Sequence, residues 1–218
     1  MVNIALQDRF LGKFFAGPLG EDFYLTGGTA LARFYFHHRE SLDLDLFTNN
    51  QMRDFAQVNQ NVLQILITLD LQIKSQVVTD TYIQYIVTDE ANKSLKIDLV
   101  KDIPVHFGKL VEHDGIRVDS LENIGSNKVL AILGRTDAKD FIDLYWILNR
   151  AQLDFDDLYR LAKEKDLGLS EFYLAFACQA VDQIRMIPQM LEPISWDAVK
   201  AFYLSLAHNL LARIKPEK

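Results

Sequence analysis

Between Gly27 and Phe47 the chain reads Gly27-Gly28-Thr29-Ala30-Leu31, then an amphipathic run to His38, then Arg39-Glu40-Ser41-Leu42-Asp43-Leu44-Asp45-Leu46-Phe47. This stretch constrains the fold more than any other. Strand side chains alternate between faces, so Asp43 and Asp45 point one way while Leu42, Leu44 and Leu46 point the other. A sheet that buries the leucines therefore holds two carboxylates side by side at its surface. Adjacent carboxylates repel unless a cation sits between them, and oxygen ligands of this kind suit magnesium or manganese.

The glycines supply the other half of a site. Gly27 and Gly28 follow the apolar run Phe23-Tyr24-Leu25, a short strand. Without side chains they let a ligand approach the backbone. They also open a helix, where free N–H groups and the helix dipole favour an anion. A phosphate cradle facing a carboxylate pair is the minimum apparatus for phosphoryl or nucleotidyl transfer. An Asp-x-Asp alone also occurs on solvated strand faces, and a Gly-Gly alone in plain turns. The conjunction of the two points to chemistry.

The 218 residues suffice for one large domain or two small ones. No run approaches the ~18 uninterrupted apolar residues of a membrane span. Met1–Arg9 lacks a basic region followed by an apolar block, so no signal peptide is expected. The single Cys178 cannot form an internal disulfide and fits a reducing cytoplasm; within an apolar stretch it reads as a small buried hydrophobe. A net charge of −7 argues against a broad grip on duplex DNA, though not against a nucleic acid held by a local basic patch.

In chain order, the spacing predicts a helix over 4–16, a strand at 23–26, a helix at 28–37 and the Asp-x-Asp strand at 42–47. A helix over 51–69 follows, with Asn49 or Asn50 as its cap. The period then changes to two, predicting strands near 71–77, 82–87 and 94–100. The last of these sets Asp98 between Ile97 and Leu99. A carboxylate among core residues needs a reason, and a sheet-surface partner such as Lys96 or Lys101 is the plainest one. Residues 101–118 read as irregular with a short strand at 116–118, and Asp119 or Ser120 as the cap of a helical turn at 121–123. Helices follow at 127–135 and 139–148. Lys128 and Arg135 share a face of the first; Asp140 and Asp143 share a face of the second. Further helices are expected at 154–165, 170–187 and 195–214, with Ser170 and Ser195 as caps. A soft boundary near Arg150 separates an α/β front, residues 1–150, from an all-helical back, residues 151–218.

Three patches together resemble one family: Leu25 to Leu31, His38 to Phe47 and Lys96-Ile97-Asp98-Leu99-Val100, joined by Lys128 to Arg135 and Lys139 to Tyr145. The chain resembles the nucleotidyltransferases of the polymerase-beta superfamily, and more narrowly the AbiEii/AbiGii toxin group. The resemblance implies an α/β (α+β) fold, with a mixed-sheet nucleotidyltransferase core flanked by helices in residues 1–150 and a helical C-terminal domain after it. It implies an NTP substrate and Mg2+ or Mn2+ as cofactor. The acceptor it implies is of the kind some toxins modify, the tRNA acceptor end, in a toxin–antitoxin or phage-defence setting with a cognate antitoxin in the cytoplasm. By position, Gly28 and Thr29, next to Gly27, contact the triphosphate. Asp43, Asp45 and Asp98 bind metal, with Asp98 also a candidate base. Lys128 neutralises phosphate, and Asp140 is a rival base. Rival readings are transfer to a small molecule or a protein, and a non-catalytic nucleotide-binding module.

Other candidates are weaker. His37, His38, His106 and His113 show no zinc spacing and read as partly exposed histidines. Arg39 suits either an acid partner or a phosphate. Asp143 is expected to pair with Arg135 or Lys139.

Overall fold

A computed structural model describes residues 4–214. The chain forms two compact units, one from the residues up to Tyr35 with Glu40–Ser120, the other from Phe36–Arg39 with the residues from Leu121 on. Helices expected ahead of a boundary at Arg150 thus make their contacts with the helical part of the chain.

The first unit contains α1 (Ile4–Phe15), β1 (Tyr24–Thr26), α2 (Gly27–Ala30), β2 (Asp43–Thr48), α3 (Phe55–Thr68), β3 (Gln72–Val78), β4 (Tyr82–Thr88), β5 (Ser94–Lys101), β6 (Val111–His113) and β7 (Ile116–Val118). The strands make one mixed seven-stranded sheet in the order β3-β4-β5-β2-β1-β7-β6. β2 runs parallel to β5 and antiparallel to β1. One face is apolar: Leu25, Leu44, Leu46, Ile83, Tyr85, Ile97 and Leu99 are all fully buried. Helix α3 packs on β4, and α1 packs on α3 and β7. Phe23 links the two helices, with its ring 5.6 Å from Phe14 and 6.2 Å from Phe55. Burial of large side chains of this kind contributes roughly 1.5–3 kcal/mol each.

Local chemistry moved several element ends. Pairing with β5 starts at Asp43, so Leu42 lies beyond the ladder and is 57% exposed, not a core residue as expected. The helix after the glycines runs one α turn, widens to a π-helical turn over Leu31–Tyr35, and stops before His37, whose φ is +53°. Asn50 caps only a turn, accepting from the Met52 N–H at 3.1 Å. The α3 cap is Asp54, which accepts from the Ala56 N–H at 2.9 Å. An unexpected hairpin joins β6 to β7 through Asp114 and Gly115, both at positive φ, a dipeptide suited to such tight turns.

The second unit contains α4 (Leu121–Gly134), α5 (Ala138–Arg150), α6 (Phe155–Lys165), α7 (Glu171–Gln179), a 3-10 turn over Ala180–Gln183, and α8 (Trp196–Arg213). Ser170 and Ser195 cap α7 and α8 as expected, and Asp137 and Asp154 cap α5 and α6. Helix α4 is continuous where a break was expected. Gly125 lies so close to α6 that a Cβ there would stand 2.8 Å from Leu158, and the Ser126 hydroxyl donates back to the Asn123 carbonyl. α7 ends well short of 187. Residues 184–195 run as a loop in which Leu191 and Glu192 donate to the His38 carbonyl and Met190 bridges Arg39. The Tyr203 ring stacks edge-on to Phe141, 4.8 Å away, and its hydroxyl donates to the Phe141 carbonyl. Among the described residues no helix is long and apolar enough to cross a membrane.

Candidate active site

The parallel register of β2 and β5 pairs Asp43 with Lys96 and Asp45 with Asp98; β1 pairs Thr26 with Asp45; β4 pairs Gln84 with Asp98. Opposed residues share a face. Thr26, Asp43, Asp45, Gln84, Lys96 and Asp98 thus form one polar patch opposite the leucine face. Asp43 and Asp45 are half-buried and Asp98 is 8% exposed.

The reason for a carboxylate at Asp98 is visible. Its Oδ2 accepts from Lys96 Nζ at 2.5 Å, while Oδ1 accepts from Gln84 Nε2 at 3.0 Å and the Tyr82 hydroxyl at 3.1 Å. Burial pulls the Lys96 pKa down. The hydrogen bond and charge of Asp98, with the charges of Asp43 and Asp45, outweigh it and hold the ammonium above the usual lysine range.

Gly27 frames the patch. Its φ is +68°, and a Cβ there would lie 2.7 Å from Asp45 Oδ2. Glycine meets both demands, the left-handed backbone and the close carboxylate. Gly28 is buried within the first helical turn. The buried Thr29 donates its hydroxyl to the Asp43 carbonyl and lies 2.8 Å from Ser41 Oγ. Its side chain therefore pins the start of β2 from beneath.

Asp119 belongs to the same unit and was expected only as a helix cap. It is fully buried and accepts from Thr26 Oγ1 at 2.5 Å; the His106 Nε2 lies 2.8 Å from its other oxygen. Because Thr26 is the register partner of Asp45, Asp119 braces the residue beside the carboxylate pair. Sequence offered no pattern for this, only an acid directly after a β-strand.

Lys128, Asp140, Asp143, His38 and Arg39 form a separate cluster inside the helical unit. Lys128 Nζ lies 2.8 Å from both Asp140 Oδ1 and Asp143 Oδ2. Arg135 Nε lies 2.6 Å from Asp140 Oδ2. Arg39 forks onto Asp143 at 2.7 and 2.6 Å, and His38 Nε2 adds a contact at 2.8 Å. Asp143 therefore pairs with Lys128, Arg39 and His38, not with Arg135 or Lys139. Arg39 takes the acid partner, and His38 is fully buried, not partly exposed. Burial would raise the pKa of both carboxylates, but the cations outweigh it and hold Asp140 and Asp143 below the usual range. Within this cluster Asp140 anchors Lys128.

The polar patch of the sheet has the donor chemistry of a magnesium or manganese site: carboxylate oxygens on adjacent strands beside Gly27. Among the described residues no three acidic, histidine or cysteine side chains close into a finished metal cage. Lys96 occupies one side of Asp98 instead.

Comparison with known proteins agrees with the fold. Residues 9–195 match the family described as "Nucleotidyl transferase AbiEii toxin, Type IV TA system". The fold is similar to a nucleotidyltransferase structure from Helicobacter pylori, with TM-score 0.63 and 19% identity over 96% of this chain and 93% of that one. It is also similar to JHP933 from Helicobacter pylori, with TM-score 0.62 and 19% identity over 96% and 90% of the two chains. The nucleotidyltransferase toxin MenT4 from Mycobacterium tuberculosis gives TM-score 0.59 and 14% identity over 94% and 82%. No curated protein matches the chain. With a family match over most of its length, the chain belongs to the AbiEii family of nucleotidyltransferase toxins.

Proposed function

We propose that the protein transfers a nucleoside monophosphate from an NTP to a hydroxyl of an acceptor such as the tRNA acceptor end, using Mg2+ or Mn2+ held by Asp43, Asp45 and Asp98. The observation that carries this reading is the strand register that puts these three carboxylates on one face beside Gly27. A bound divalent cation supplies charge neutralisation at the triphosphate and a lowered pKa for the attacking hydroxyl. Gly27 and Gly28 present backbone to the phosphates where a side chain would intrude. The acceptor oxygen attacks the α-phosphorus, the bond to the β-phosphate oxygen breaks, and pyrophosphate leaves. Asp98 accepts the hydroxyl proton, with Gln84 and Tyr82 fixing its carboxylate. Thr29 holds the Asp43 backbone, and Asp140 holds Lys128. The family description implies a cognate antitoxin as partner. The NTP pool and the unpaired Cys178 favour the cytoplasm.

The net charge of −7 favours a second acceptor class, a small molecule or protein, over RNA. Incubation with labelled NTPs, Mg2+ or Mn2+ and total tRNA, followed by separation of products, distinguishes the two. Label in the RNA fraction supports the first reading, and label in protein or small molecules the second. NTP binding without pyrophosphate release would overturn both.

A further inference from the structure

We propose that Lys96 is an internal counter-ion of the carboxylate patch, occupying the side of Asp98 that a divalent cation needs and setting the metal concentration at which the site fills. This inference rests on the metal-dependent reading above.

Lys96 and Asp98 are two residues apart on β5 and so share the face of Asp43 and Asp45, with Lys96 opposite Asp43 and Asp98 opposite Asp45. An ammonium within 2.5 Å of Asp98 supplies the positive charge that three neighbouring carboxylates require. A cation on Asp98 Oδ2 meets that ammonium as a like charge at the same oxygen. Asp98 cannot turn away, because its other oxygen is held by Gln84 and Tyr82. Lys96 can leave: its side chain is 34% exposed, against 11% for Asp98, and its flexible stem lets the ammonium swing into solvent. Metal entry is therefore an exchange of one cation for another, and the affinity the site shows is reduced by the strength of the Lys96 contact.

Mn2+ binding measured by calorimetry, without NTP, on wild type, Lys96→Met and Lys96→Arg tests this. Lys96→Met is expected to bind Mn2+ on the order of tenfold more tightly than wild type, since a charged hydrogen bond no longer has to be broken. Lys96→Arg keeps the charge and is expected to stay close to wild type. Melting curves give a second readout. Without metal, Lys96→Met melts below wild type because its carboxylates lack a counter-ion, and Mn2+ closes that gap. Measurable but equal or weaker Mn2+ affinity in Lys96→Met overturns the counter-ion role and leaves the metal reading standing. Absence of Mn2+ binding in all three proteins overturns the metal reading and this inference with it.

Discussion

Asp45 and Asp98 are register partners across the parallel pairing of β2 and β5, while Thr26, the partner of Asp45 on β1, is fastened to the buried Asp119. The acids of the patch are held by backbone pairing, so their placement does not depend on loop conformation. Strand-borne groups of this kind suit a reaction that needs carboxylates fixed before substrate arrives.

Gly27→Ala tests how tightly the glycine edge fits the acid. The left-handed backbone alone costs about 1–2 kcal/mol, and the added methyl meets Asp45 Oδ2 at 2.7 Å. Urea denaturation is expected to show that loss, and nucleotidyl transfer to fall sharply. Gly115→Ala is the control: its φ is +78° with open space around the position, so stability drops similarly while transfer is retained.

Lys128→Met removes the one cation shared by two fully buried carboxylates, leaving Asp140 with Arg135 and Asp143 with Arg39 and His38. Losing one partner of such a cluster costs about 3–5 kcal/mol, visible as a lower denaturation midpoint. An unchanged midpoint would mean that the ammonium does not belong to this cluster in solution.

Acid stability follows from Asp140 and Asp143. Both are held below the usual carboxylate range, so their contribution is complete above the unfolded value of about 4 and is lost as pH falls below it. Melting temperature is expected to decline steeply from about pH 4 downward. Asp143→Asn should melt lower at neutral pH and show a shallower decline on acidification. Parallel curves for the two proteins would contradict the assignment.

Cys178 is 1% exposed, and burial pushes its thiol up to about 12. A thiol reagent is expected to label the native protein roughly a thousandfold more slowly than the unfolded chain. Equal rates would show that the α7 face opens readily.

Much of this molecule can be read from alternation and spacing. The Leu-Asp-Leu-Asp-Leu pattern announces a sheet with one wet face, and Lys96 two residues before Asp98 announces a same-face pair. Serine caps at Ser170 and Ser195 mark their helices. What could not be read depends on contacts distant in sequence. Asp119 owes its role to Thr26, 93 positions away, and Arg39 finds Asp143 across 104. No local pattern encodes either pairing. Leu42 shows the reverse limit: its apolar character fits the alternation, yet the ladder begins one residue later.

Asp45→Asn tests the central claim most directly. The variant keeps the shape of the side chain while removing its charge, and a cooperative melting curve establishes that the assayed protein is folded. Pyrophosphate release from labelled NTP in the presence of acceptor should fall by on the order of 10²–10³-fold or more. Turnover at the wild-type rate in the purified, folded variant would contradict the account.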